Sequence, residues 1–294
     1  MFSDKSFITF GQMSKSNSRF LAFIAGFLLI FLFFSNFSYS QGNLLITPRR
    51  VVFDGSRRVM ELNLVNTGRD TAKYNVSLIQ YRMNEDGSFT EIDAPDPGQR
   101  FADKYIRFFP RTVSLGPNEA QVVKMQVINT DKLEPGEYRS HVYFRSVPNL
   151  TALGEENSKV DSNTVSIKLI PVFGITIPVI IRVGENDTKV SINDLKYVSV
   201  NDTTKRLEFT FNRVGKMSIY GDIKVSHISN SGKETNVGSI NGVAIYTPNS
   251  KRRQWVDLNQ LKGVNFNEGK LKVLFISQSD SKPTIYAEAE LVLN

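Results

Sequence analysis

The sequence predicts an all-β chain folded as two antiparallel β-sandwiches, and three observations point there. Apolar and polar residues alternate in short runs such as "VMELNLVN", where Met60, Leu62 and Leu64 share one face and Glu61 and Asn63 the other. Turn signals built from Gly, Pro, Asn and Asp recur roughly every 8 to 12 residues, the spacing of sandwich strands. The chain has 294 residues, which suits two domains of about 100 to 150 residues each. Nothing in it reads as a convincing helix.

The N-terminus precedes the fold. Lys5, Lys15 and Arg19 form a basic region, followed by the uncharged "FLAFIAGFLLIFLFF" from Phe20 to Phe34 and by small residues at Ser38 and Ser40. Fifteen apolar residues are short for a membrane span, which needs about 20, so residues 1–40 read as a signal peptide cleaved before Gln41, and a start at Met13 gives the same reading. Losing Asp4, Lys5, Lys15 and Arg19 lowers the formal charge from +7 to +5. For an exported protein that charge suggests acidic partners or mere solubility rather than nucleic acid. The chain contains no cysteine, which excludes a disulfide framework, thiolate metal sites, a cysteine nucleophile and a lipidated cysteine anchor. Its stability then rests on its hydrophobic cores alone.

The first domain spans residues 41–182. "ITPRRVVFDG" reads as one strand closed by an Asp54-Gly55 turn, with Arg50 inward and Arg49 outward. An inward arginine is costly to bury unless an anion meets it. "AKYNVSLIQYRM", "QVVKMQVIN" and "YRSHVYFRSV" add strands, and "EPGEY" places Tyr138 where sandwiches often tuck a tyrosine. After a polar loop from Val147 to Asn163, "TVSIKLIPVFGITIPVIIRVG" alternates at Val165, Ile167 and Leu169 and then turns almost wholly apolar. Pro171 and Pro178 donate no ladder hydrogen bond, so the whole segment reads as an apolar edge strand left open for use. The second sandwich, residues 183–294, carries "RLEFTFNRV", "YGDIKVSHIS", "VGSINGVAIY", "KLKVLFISQ" and "TIYAEAELVL", with hairpin signals at Asn230-Ser231-Gly232 and Asn241-Gly242.

Catalytic chemistry finds no support. The two histidines, His141 and His227, fall in different domains and read as surface or strand residues. "DAPDPG" and "NEDGS" are turns without calcium-loop spacing. There is no nucleophile elbow and no nucleotide fingerprint. No enzyme activity, metal, cofactor or small-molecule substrate is expected. "KRRQW", Lys251 to Trp255, reads as a solvated hairpin with a capping tryptophan rather than a nucleic-acid or glycan site. The open edge strand with an arginine at its end instead suggests a peptide groove, in which backbone pairing binds a strand and the cation fixes a carboxylate.

At this point the motifs themselves carry a resemblance. "RRVVFDG" followed by "LNLVNTG", then "FFPRTVSLGPNEAQVVKMQV", "LEPGEYRSHVYFRSVP" and "GITIPVIIR" resemble, in that order, the periplasmic pilus chaperones of the chaperone–usher type, over about Leu44 to Arg182. The resemblance implies two immunoglobulin-like domains in an L shape and an ATP-independent chaperone that lends an edge strand to pilin-like fibre subunits, handing them to an outer-membrane usher. It implies a periplasmic location. It places the subunit carboxylate anchor at Arg50, the donor strand at Val165, Ile167, Leu169, Pro171 and Phe173, and an interdomain role at Arg182. Two positions depart from the family: its cleft lysine falls on Pro178, and an acidic residue near the "R-E-S" stretch falls on Arg139. The alternative reading is an exported immunoglobulin-like structural or adhesive protein that pairs through the same edge with a stable partner.

Overall fold

A computed structural model describes residues 44–148, 172–278 and 282–293. The expected signal peptide lies outside the described residues, as do Val165, Ile167, Leu169 and Pro171. From Leu44 onward the described residues belong to one compact unit. Its elements are almost entirely strands, with two single-turn 3-10 helices, Asp103–Tyr105 and Thr130–Lys132.

In chain order the first sandwich has β1 (Leu44–Thr47), β2 (Val51–Phe53), β3 (Val59–Asn66), β4 (Ala72–Ile79), β5 (Tyr81–Met83), β6 (Phe89–Glu91), β7 (Ile106–Phe109), β8 (Thr112–Leu115), β9 (Ala120–Val127), β10 (Gly136–Val147) and β11 (Gly174–Val183). One sheet runs β1-β3-β9-β7 and the other β2-β11-β10-β4-β8. Apart from β2 and β8 at its margins, this is the immunoglobulin arrangement of a four-strand sheet facing a three-strand one. Alternation places Leu62 and Leu64 of β3, Val123 and Met125 of β9, and Val142 and Phe144 of β10 in one core between the sheets. Tyr138 closes the corner: its hydroxyl receives the Glu134 amide at 3.1 Å and Arg100 Nη1 at 3.2 Å. β5 and β6 form a separate hairpin.

The second sandwich has β12 (Lys189–Ser199), β13 (Lys205–Val214), β14 (Ile219–Ile228), β15 (Glu234–Ile245), β16 (Lys251–Leu258), β17 (Lys270–Ile276) and β18 (Ile285–Val292). Its sheets are β12-β13-β16 and β15-β14-β17-β18, packed about Phe211, Ile223, Val273 and Phe275. The turn at Asn230–Gly232 links β14 to β15, with Gly232 at φ +84°. Asn241-Gly242 is different. It lies within β15, where Asn241 and Gly242 together oppose Asp222 alone. Gly242 adopts φ +75° and its amide donates to Asp222 Oδ1 at 2.8 Å. The glycine therefore serves a bulge rather than a hairpin turn.

Three other expectations change. "ITPRRVVF" is two strands: β1 pairs with β3 in one sheet, and β2 pairs in parallel with β11 in the other. Pro48 has no N–H to offer a ladder, and Arg49 and Arg50 lie in the crossing between sheets. Strand alternation is thus not what separates exposed Arg49 from half-buried Arg50. The C-terminal part of β11 is not an edge, since Val179, Ile180 and Ile181 pair with β2 on one side and β10 on the other. "KRRQW" is no hairpin tip; it opens β16, paired residue by residue with β13.

Candidate functional site

The two sandwiches meet through a small apolar contact of Met83, Ile180, Ala244 and Tyr246, beside which lies a cleft of about 250 Å³. The first sandwich contributes the crossing residues Arg49 and Arg50, His141 of β10, and Thr176 and Pro178 of β11; the second contributes Tyr220, Tyr246 and Arg252. Phe89, the first residue of β6 after the hairpin turn, closes one side.

Arg50 is the inward arginine, and the second sandwich meets it with rings rather than a carboxylate. Its guanidinium carbon lies 4.6 Å from the Tyr220 ring centroid and 5.6 Å from that of Tyr246, within the range of cation–π attraction. Nη2 donates to Ser218 Oγ at 3.3 Å. Nη1 is buried with no hydrogen-bond partner among the described residues. A buried donor left unmade costs about 1–3 kcal/mol, more where it is charged, so this N–H is poised for an acceptor.

Positive charge accumulates around Tyr246. Arg139, buried on β10, sits 4.3 Å from its ring centroid and donates Nη2 to the carbonyls of Tyr81 and Thr247 at 3.3 Å each. Its Nε and Nη1 find no partner among the described residues, and burial pushes its pKa down. His141, expected as a bland strand histidine, is buried among aromatic edges, with ring centroids 5.1 Å from Tyr81 and 5.7 Å from Phe89. Burial first and the Arg139 charge second lower its pKa to about 3. It is therefore neutral near pH 7 and leaves the cleft's charge to its arginines.

Arg182, at the end of β11, lies where the sandwiches join. Its Nη2 donates to the Ser218 carbonyl at 2.6 Å and its Nε lies 3.3 Å from Glu137 Oε2. Glu137 is buried, and the same Oε2 accepts the Ser218 amide at 2.9 Å and the Ser218 hydroxyl at 2.6 Å. The acid is two residues from Arg139 on one strand, and so on the same face. Phe173 is exposed just before β11, its carbonyl accepting the Ser146 amide at 2.9 Å and its amide donating to Ser146 Oγ at 3.0 Å. Trp255 lies apart from the cleft, on the outer face of β16, with the Arg206 guanidinium 5.5 Å from its ring. Among the described residues no cluster of three His, Cys, Asp or Glu could hold a metal.

The arrangement can hold an anion and, beside it, an extended chain. Along Gly174–Pro178, β11 pairs with β10 on one side, while on the other β2 begins only opposite Val179. An incoming strand laid there would end near Arg50.

No family model matches the sequence, and neither does any curated protein. Solved structures with a similar arrangement include the YadV chaperone, at 14% identity and a TM-score of 0.42 over 86% of this chain and 100% of that one. Another is the CupB2 chaperone of Pseudomonas aeruginosa, at 12% identity and 0.40 over 85% and 100%. A third is the E. coli chaperone DraB, at 14% and 0.38 over 85% and 96%. All three are chaperones. Likeness at this level leaves the function to be argued from this chain's own residues.

Sequence reading missed Glu137, Tyr220, Tyr246 and Arg252 as members of the interface. Glu137 could have been found, because it shares a strand face with Arg139 in "GEYR". The other three come from the second sandwich, and no local pattern says which of its residues turn toward the first.

Proposed function

We propose that this chain is an ATP-independent, non-enzymatic chaperone of the periplasm that binds pilin-like surface-fibre subunits by lending them an edge strand. The supporting observation is the buried Arg50 Nη1, a charged donor without an acceptor, beside the open Gly174–Pro178 edge of β11. A subunit's terminal carboxylate would supply the acceptor, and the subunit's own strand would take the free edge. Fixing the carboxylate fixes the register. The donated side chains are then Val165, Ile167, Leu169, Pro171 and Phe173, alternate residues that would enter one groove. Backbone pairing and burial of these side chains supply the binding energy, so nucleotide hydrolysis is not required. Transfer to an outer-membrane usher belongs to the same reading, as do export and cleavage before Gln41.

Co-expression of candidate subunits with the wild-type chain or with Arg50→Ala tests this. Subunits should accumulate with wild type and be degraded or aggregated with the variant, while the variant chain keeps its thermal transition. Unchanged subunit levels with Arg50→Ala would defeat the carboxylate anchor. A partner that is stable alone and stays permanently bound would favour the structural or adhesive reading instead.

A further inference from the structure

Arg252 is a second cation of the cleft, and it comes from the other sandwich. Along β16 the exposed Lys251 and Arg253 flank it, so alternation turns its stem inward, where it lines the cleft with Arg50. Its Nη1 donates to the Ala244 carbonyl, and its Nε is buried without a hydrogen-bond partner among the described residues. Burial pushes its pKa down. The carboxylate that faces it electrostatically, Asp86, is exposed and already accepts the Ser88 hydroxyl at 2.6 Å and the Ser88 amide at 2.9 Å.

The β5–β6 hairpin of the first sandwich holds this arginine in place. The Arg253 amide donates to the Glu85 carbonyl at 2.6 Å, and Asn249 Nδ2 donates to the Met83 carbonyl at 2.7 Å. Gly87 at the hairpin tip lies against the guanidinium so closely that a Cβ there would fall 2.6 Å from Arg252 Nη2. Two elements thus pin a charged side chain whose Nε–H meets no acceptor. That costs stability unless an anion completes it.

We propose that Arg252 is the second cation of the carboxylate cleft, so that a client's terminal carboxylate is gripped by one arginine from each sandwich, Arg50 and Arg252. The inference rests on the chaperone reading of Arg50. Arg139 also carries buried N–H groups without a partner among the described residues, but it is absent from the cleft lining and does not share the role.

The test uses the mature chain and a fluorescein-labelled strand peptide of alternating valine and threonine, made with a free C-terminal carboxylate or with a C-terminal amide. Anisotropy titration should show the free acid binding wild type about tenfold more tightly than the amide, the combined effect of two charge-assisted contacts of about threefold each. Arg252→Met should reduce that preference to about threefold or less and raise Tm, because an uncompensated buried charge is removed. Arg252→Lys should restore part of the preference. Gly87→Ala keeps every charge but displaces the guanidinium, and should weaken the preference too. If Arg50→Ala removes the preference while Arg252→Met and Gly87→Ala retain it, Arg50 acts alone and the inference fails while the chaperone reading stands. If wild type does not distinguish acid from amide, the carboxylate reading itself falls.

Discussion

Replacing Glu137 by glutamine keeps the shape of the side chain and removes a buried carboxylate that joins the sandwiches through Ser218. In the native protein Oε2 accepts the Ser218 amide at 2.9 Å, the Ser218 hydroxyl at 2.6 Å and Arg182 Nε at 3.3 Å. Hydrogen bonds to a charged acceptor contribute about 1.5–3 kcal/mol each, and neutral ones about 1 kcal/mol. Turning the two Ser218 bonds neutral therefore loses roughly 1–4 kcal/mol. The Arg182 term is smaller: its side chain is 22% exposed, so water takes up part of the freed charge, and its bond to the Ser218 carbonyl remains. A loss of about 3 kcal/mol corresponds to a Tm lower by about 6–12 °C in a chain of this size. Differential scanning calorimetry at pH 7 should show this shift, with the transition broadening as the two sandwiches lose their coupling. A shift below about 2 °C with an unchanged transition width would refute the reasoning that Glu137 binds the sandwiches together.

Other perturbations have equally definite outcomes. His141 has a folded pKa of about 3 against about 6.5 unfolded, so below pH 6.5 the unfolded chain takes a proton the fold excludes. Stability is lost as pH falls from 6.5 toward 3, by about 2 kcal/mol at pH 5; urea midpoints at pH 7 and pH 5 should diverge less in His141→Leu than in wild type, and equal drops would contradict the assignment. Gly221→Ala would set a Cβ 2.2 Å from the Ile276 carbonyl oxygen, which backbone cannot yield cheaply. A cost of roughly 1–3 kcal/mol should appear in chemical denaturation, and an unchanged midpoint would mean that β14 and β17 can separate. Under the chaperone reading, Ile167→Asp should abolish complex formation, measured by co-purification, with little change in Tm. A large loss of stability would instead make Ile167 a core residue.

Much of the fold is legible in period-two patterning. "VMELNLVN" announces its strand because one face of it must be buried, and "EPGEY" announces the tyrosine corner, whereas "YRSHVYFRSV" is buried on both faces over Tyr138–Val142 because the second face lies against the β5–β6 hairpin and the second sandwich. Where the reading failed, backbone detail decided. Nothing in "ITPRRVVF" says that the chain changes sheets after Thr47, although Pro48 is the residue that cannot continue a ladder. Asn-Gly at 241–242 has the chemistry of a turn, and a bulge uses the same left-handed glycine. The site was legible only on one side. Arg50 stands out as a charge next to an apolar strand, and its need for company follows from burial alone. That the company is Tyr220, Tyr246 and Ser218 depends on how a second sandwich packs, which alternation within single strands does not encode.

In the chaperone reading the segment leading into β11 becomes a strand of the client's sheet. Hydrogen–deuterium exchange of this chain, alone and after co-purification with a fibre subunit, measures that pairing amide by amide. Slowed exchange across residues 165–177 in the complex, with Arg50→Ala failing to yield a complex, is the predicted result. A complex that forms while those amides exchange at the same rate as in the chain alone would contradict it.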